Sequence, residues 1–480
     1  MKNRKTKAVS ALLALLCAAS FTACAHTAGS ADRDRGAEKT AGETTEISAS
    51  LFAQDESEAS AQTSGNIASS SGAASDDAVS AAAAGSVSAV LSSEYAPVSA
   101  VYQSAAGGLV SAVESKLFTD RDLLQTADLS EARAVAVSSG ATVRITEEGV
   151  YLISGNAEEC TILVDADETE KVQLVLGGVT VENTDFPVIY VVSADKVFVT
   201  TLEGTENSLS VTGTFRADGS TKTDAVIFSK EDLTLNGLGS LTVISQNGNG
   251  ITSKDDLKIT GGTLQVASQL DALEANDSVS VCGGTLSIYS NKDGIHCEND
   301  EDQSLGWIWI GGGTIDITAK SDGIQGTPFV QIDGGTLTIS ASEGVEGTYI
   351  QINGGSITIG ASDDGINASR KSTAYSVVVE VNGGELVITM ASGDTDGIDA
   401  NGKIIVNGGT INITTSGMAS FDYDGGAEFN GGTIIINGTE VDAIPSEMMG
   451  GFGGGRGGFG GGPGGGQMPG GWGGRPGGRG

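Results

Sequence analysis

Eight strand entries of the Gly-Gly-Thr type recur in this chain. They begin at 261, 283, 312, 334, 354, 383, 408 and 431, so the spacings are 22, 29, 22, 20, 29, 25 and 23 residues. Each opens a short alternating run, such as GGTLQV, GGTIDI or GGSITI. A second element follows most entries: LDALE at 270, KDGIH at 292, SDGIQ at 321, SEGVE at 342, DDGIN at 363 and TDGID at 395. A third apolar run (VSVC, IWIG, VQID, YIQIN, VVVEVN, KIIVN) precedes the next Gly-Gly. Period-two alternation over a few residues is the mark of a strand. A unit of three short strands cannot bury its apolar side alone. Stacked at about 4.8 Å, such units share one continuous core. The repeat therefore predicts an all-β parallel β-helix. Leucine-rich repeats need a helical side, propeller blades need four strands, and tandem sandwich domains lack this rhythm.

Upstream, runs such as GVYLISG, CTILVDA, KVQLVLGGVTVEN and KVFVTT continue the strand pattern, so the first coil is expected between 133 and 160 and the solenoid over 133–445. The two longest units carry inserts, HCENDEDQSLGW and ASRKSTAYS, expected to project from one side. Residues 450–480 form a glycine-rich tail with Arg456, Arg475 and Arg479 and no acid. Beyond Cys24, three cysteines (Cys160, Cys282 and Cys297) are scattered, with no Cys-x-x-Cys, so they are expected as core filler.

Lys2, Arg4, Lys5 and Lys7 precede an apolar run from Ala8 to Ala19, too short to span a bilayer. Phe21-Thr22-Ala23-Cys24 reads as a bacterial lipobox, with Phe21 in place of the usual Leu; Ser20-Phe21-Thr22-Ala23 also suits ordinary signal cleavage. On the lipobox reading, residues 1–23 are a leader and Cys24 the lipidated first residue, which places the protein at the extracellular face of the membrane or cell surface, held by lipid only. Residues 24–130 are rich in Ala, Ser and Gly, a composition that predicts a disordered tether, with room for one short helix in 111–130.

Acidic residues number 61 and basic residues 26, for a net charge of −35. Such a chain repels nucleic acid. Many of the acids sit at the Asp-Gly-Ile corners, which stack coil on coil: Asp271 with Glu274, Asp293 with His296, Asp322 with Gln325, Glu343 with Glu346, Asp364 with Asn367, and Asp396 with Asp399. Asp363, Asp394, Asp422 and Asp424 add to them. Carboxylates stacked roughly 5 Å apart are costly without a cation. Oxygen-only donors suit Ca²⁺. The same residues also cap turns by accepting backbone N–H bonds, and the corner glycine is accounted for by a left-handed or tight turn.

Trp307 and Trp309 flank Ile308 on one strand and share a face; Tyr289, Tyr349 and Tyr375 lie on nearby coils. Such rings either stack on sugar faces or fill the core. A lyase needs a strong base beside a bound uronate, and Arg370 is the candidate. Three readings follow: a non-catalytic polysaccharide binder, a lyase, or a structural adhesive.

The Phe21–Cys24 lipobox, the Ser/Ala-rich tether, the GGT…DGI repeat and the glycine-rich tail together resemble a bacterial family of carbohydrate-binding domain-containing lipoproteins, calcium-binding and polysaccharide-lyase-like in their β-helix. The resemblance covers about residues 135–445. It implies a single-stranded, right-handed parallel β-helix with Ca²⁺ at the stacked acidic corners. It also implies binding of plant polysaccharides such as cellulose-like glucan or polygalacturonate, with 133–445 as the carbohydrate-binding domain; the chain is expected to be a monomer.

Overall fold

The computed structural model describes residues 78–80, 117–393, 395–416 and 419–445. The leader, Cys24, Asp394, most of the tether and the tail from 450 lie outside the described residues. The described chain is a parallel β-helix with three faces. Sheet I is built from the Gly-Gly-Thr strands, among them Thr263–Ser268, Thr285–Ser290, Thr314–Ala319 and Thr336–Ala341. Sheet II carries the Asp-Gly-Ile strands, including Ile295–Cys297, Asp364–Ala368 and Asp396–Ala400. Sheet III holds the third runs, including Ser278–Val281, Trp307–Ile310 and Val378–Val381. In two coils the corner between sheets II and III is smooth enough that one strand covers both, Asp322–Ile332 and Glu343–Ile352.

Alternation fixes the register. In sheet I, Leu241, Leu264, Leu286, Ile315, Leu337, Ile357, Leu386, Ile411 and Ile434 stack in one inward column. All are buried. Sheet II contributes Ile251, Leu273, Ile295, Ile324, Val345, Ile366 and Ile398, also buried. A one-residue slip would turn such a column to solvent, so each coil copies the register of the one before. The single antiparallel strand pair among the described residues is terminal: Thr439–Val441 folds back on Thr433–Ile436 and covers the last edge of sheet I. Cys160, Cys282 and Cys297 are unpaired and buried.

The structure assigns the corner glycine a different reason from the turn expected. Gly323 is absent from the left-handed region, but a Cβ there would lie 2.3 Å from Ile339 Cγ2 and 2.6 Å from the carbonyl oxygen of Gly344 in the next coil. The coil is pulled in too tightly for a side chain. The second glycine of the Gly-Gly turn is the one that needs conformational freedom, as at Gly335 with φ +95°.

Two features of the packing were not expected. From residue 117 the chain packs across sheet III. Its short helix, Asp120–Leu123, lies within the 111–130 stretch expected to hold one and is capped by Thr119. Asp122, fully buried, accepts hydrogen bonds from Lys196 Nζ (3.1 Å) and Thr234 Oγ1 (2.7 Å). Arg121 lies 4.5 Å from the centre of the Phe198 ring. The second feature is an amide ladder at the end of sheet III. Asn353 donates to Asp333 (2.7 Å), Asn382 to Asn353 (2.8 Å), Asn407 to Asn382 (2.7 Å) and Asn430 to Asn407 (2.8 Å). Asn353, Asn382 and Asn407 each donate and accept; without Asn382 the Asn353 oxygen loses its donor, while the exposed Asn407 keeps Glu380 (3.2 Å). Asn382→Ala is expected to destabilise the fold by about 0.5–1.5 kcal/mol, read by urea unfolding.

Candidate functional site

Sheet II turns its polar side chains outward in two columns. In one, Asp322 lies opposite Glu343, and Asp364 opposite Asp396. The other runs Glu274, His296, Gln325, Glu346, Asn367, Asp399 and Asp422, one per coil. The corner acids also serve the backbone. Asp271 Oδ1 accepts from Asp293 N (3.1 Å), Asp293 Oδ1 from Asp322 N (3.1 Å), and Asp364 Oδ1 from Asp396 N (3.2 Å).

The charge environment changes along these columns. The first corners carry their own cations. Lys254 Nζ is 3.3 Å from Glu274, and Lys292 Nζ is 2.8 Å from Asp271 and 3.6 Å from Asp293. His296 Nδ1 lies 3.2 Å from Asp271. Burial pushes the Asp271 carboxyl up, but His296 and Lys292 outweigh it and hold it below the ordinary range. Burial depresses His296, but the Asp271 hydrogen bond and charge outweigh it and hold it above its ordinary value.

In the middle coils one cation serves three acids. Asp322, Glu343 and Glu346 bring carboxylate oxygens within 4.8 Å of one another. Lys371, from the second insert, reaches Glu346 at 2.6 Å. With its amide turned to satisfy both neighbours, Gln325 bridges Lys371 (2.8 Å) and Asp322 (3.3 Å). Asp322 is pushed up to about 8, by burial first and then by Asp293, Glu346 and Glu343. Glu343 rises to about 7, again through burial and then Glu346.

Beyond Lys371, among the described residues, no basic side chain pairs with Asp364, Asp399, Asp422 or Asp424. Burial lifts Asp364 to about 7 and, with Asp422 and Asp396, lifts Asp399 to about 6. Asn367 donates to Glu343 (2.9 Å), while its Oδ1 is shielded from solvent and has no hydrogen-bond partner. Asp363, Asp422 and Asp424 are exposed.

The two inserts pack on each other at the corner between sheets II and III. Ser372 Oγ donates to the Gln303 carbonyl (2.7 Å), and Thr373 N to Gln303 Oε1 (3.0 Å). Beside them Trp307 stacks on Phe329 (5.5 Å between centroids, 7° between planes), and Tyr375 packs edge-on to both Phe329 and Tyr349. The two tryptophans share an outward face and do not enter the core. Trp309 is nonetheless 1% exposed, covered by Phe118 and hydrogen-bonded to Asp333 (2.8 Å), so it offers no ring face to a sugar. Tyr349 donates to Glu380 (2.7 Å). Tyr289 lies on sheet I, beside Ala267 and Thr318 in the ladder. Arg370 is exposed on the second insert.

A further acid group escaped the sequence reading. Asp232, Asp255 and Asp256 place oxygens within 4.8 Å of one another where sheet III begins. Asp255 is pushed up to about 8 by burial, then by Asp232 and Asp277. The recurrence of KEDL at 230 and KDDL at 254 was the available signal.

Residues 139–348 and 340–448 match the family model described as carbohydrate-binding domain-containing protein. A relative of the same description from Acetivibrio thermocellus is 37% identical over 156 residues, which is 32% of this chain and 53% of the relative. The match thus spans about half the length of that relative. A solved structure, of the polysaccharide lyase-like protein from C. thermocellum as a gadolinium derivative, is 36% identical; the match covers 45% of this chain and 87% of that one, with a TM-score of 0.41. The family model takes in all three sheets and every described acidic corner, and the chain belongs to the carbohydrate-binding domain-containing protein family.

Proposed function

We propose that this chain is a non-catalytic polysaccharide-binding protein whose acidic corner columns hold Ca²⁺, carried at the cell surface by lipid on Cys24. Family membership supports the ligand class. The observation that carries the calcium reading is the change along sheet II from corners neutralised by Lys254, Lys292 and His296 to stacked acids with few or no basic partners, the buried Asp322 and the half-buried Glu343, Asp364 and Asp399, whose carboxyls are pushed well above their ordinary range. Stacked carboxylates and an amide oxygen with no partner are the donors that Ca²⁺ takes, six to eight at a time. Asp322, Glu343, Glu346, Asp364, Asn367 and Asp399 would hold it. When bound, the ion supplies positive charge to an anionic face, which offsets the stacked acids and permits approach of a polyanion. Polysaccharides of the plant-wall glucan or polygalacturonate type are the proposed partners.

Pull-down of the protein with insoluble glucan and with polygalacturonate, in Ca²⁺ and in excess EDTA, tests this. Polygalacturonate binding that falls at least tenfold in EDTA is expected. Equal binding in both buffers would remove calcium from recognition. The same incubation with polygalacturonate is expected to release no unsaturated uronate product. Its appearance, and its loss in Arg370→Ala, would make the protein a lyase.

A further inference from the structure

A groove crosses the outer face of sheet I, on a different side of the solenoid from the acidic corners. Its cavity volume is about 430 Å³. Thr180, Ser208, Thr242 and Gln265 stand in register along it, one from each of four successive strands, with Glu206 and Ser240 on its flank. Four strands at about 4.8 Å make a path of roughly 14 Å along the helix axis. The floor is held rigid from below. Asn207, 3% exposed, accepts from Gly178 N (3.0 Å) and Val179 N (2.9 Å) and donates to the Ser240 carbonyl (2.9 Å), tying three coils together. A site fixed before its ligand arrives avoids the cost of ordering on binding.

We infer that this groove is a binding subsite for an extended, neutral glycan chain lying along the helix axis. The inference rests on the polysaccharide-binding reading above and adds to it a location and a ligand class. Hydroxyls, an amide and one carboxylate both donate to and accept from sugar hydroxyls. The lining holds no lysine or arginine, and Glu206 adds negative charge to a chain of net −35, so a uronate polymer is repelled here. A neutral polymer meets no such barrier.

The test is affinity electrophoresis and calorimetry of the full chain with hydroxyethyl cellulose and with polygalacturonate. Thr242→Arg places a long side chain at the centre of the groove. Gln265→Trp blocks it from the next strand. Thr338→Arg makes the same change as the first variant on the same face, three coils along from Gln265. Thermal unfolding of each variant reports folding. Binding of hydroxyethyl cellulose is expected to weaken at least tenfold in both groove variants, and to stay within twofold of the parent in Thr338→Arg. Unchanged binding in either folded groove variant overturns the subsite, as does a parent that binds polygalacturonate alone; in both cases the polysaccharide-binding reading stands. A parent that binds no polysaccharide overturns both.

Discussion

Removal of divalent cations with EDTA is expected to lower the midpoint of thermal unfolding by about 4 °C or more. A ligand at a hundred times its dissociation constant contributes about 2.7 kcal/mol, and each kcal/mol moves the midpoint of a solenoid of about 300 residues by roughly 1.5 °C. The pH dependence of the chelated protein carries the sharper signature. Asp322 titrates near 8 in the fold, and Glu343 and Asp364 near 7. Unfolded, they titrate near 4. Between about pH 4 and 8 the native state therefore binds more protons than the unfolded state, so stability falls as pH rises. The chelated protein should melt higher at pH 5 than at pH 8. Ca²⁺ competes with those protons, so in saturating calcium the trend should flatten or reverse. Midpoints that ignore calcium, or a chelated protein that loses stability on acidification from pH 8 to 5, would remove the cation from the corners.

The second large effect is expected at Asp122→Ala. Lys196 is buried and held by Asp122 at 3.1 Å, with Asp232 at 3.5 Å as a weaker second partner. Breaking a buried pair by removing one member costs about 3–5 kcal/mol, and the second partner puts this case at the low end. The loss should fall on docking of residues 117–125. Proteolysis in that segment should rise roughly a hundredfold where cleavage follows the open population. The double variant Asp122→Ala with Lys196→Met should recover much of it, because the buried ammonium is then gone. The pH signature opposes that of the corners. Burial raises the Asp122 carboxyl, but Lys196 and hydrogen bonds from Thr119 and Thr234 hold it below its ordinary value. Its contribution is therefore complete above about pH 4 and lost as pH falls through the depressed value, outside the window in which the corner acids titrate.

Much of this molecule was legible because a β-helix copies one register from coil to coil. The Gly-Gly-Thr entries gave sheet I, and the spacing of the Asp-Gly-Ile corners put Glu346, Asn367 and Asp399 in one column. The parts that escaped depend on chain that leaves the period. Lys371 reaches Glu346 from an insert whose path no repeat dictates. Trp309 looked available beside Trp307, but Phe118 arrives from nearly 200 residues upstream to cover it. The asparagine ladder was present in the text as VQID, YIQIN, VVVEVN and KIIVN, each ending in an amide or acid. Period-two alternation marks only the apolar positions of these strands, and the polar residue that follows each strand carries no such mark. The corner glycine was legible as a requirement and misread as to cause: stacking against the next coil, not backbone handedness, excludes a side chain at Gly323.

Calorimetric titration of the chelator-stripped full chain with CaCl₂, beside the variant Asp364→Asn with Asp399→Asn, tests the central claim most directly. Saturable heat that is lost or weakened at least tenfold in the double variant is the expected result. A parent chain that takes up no calcium, or a variant that binds it as the parent does, would contradict it.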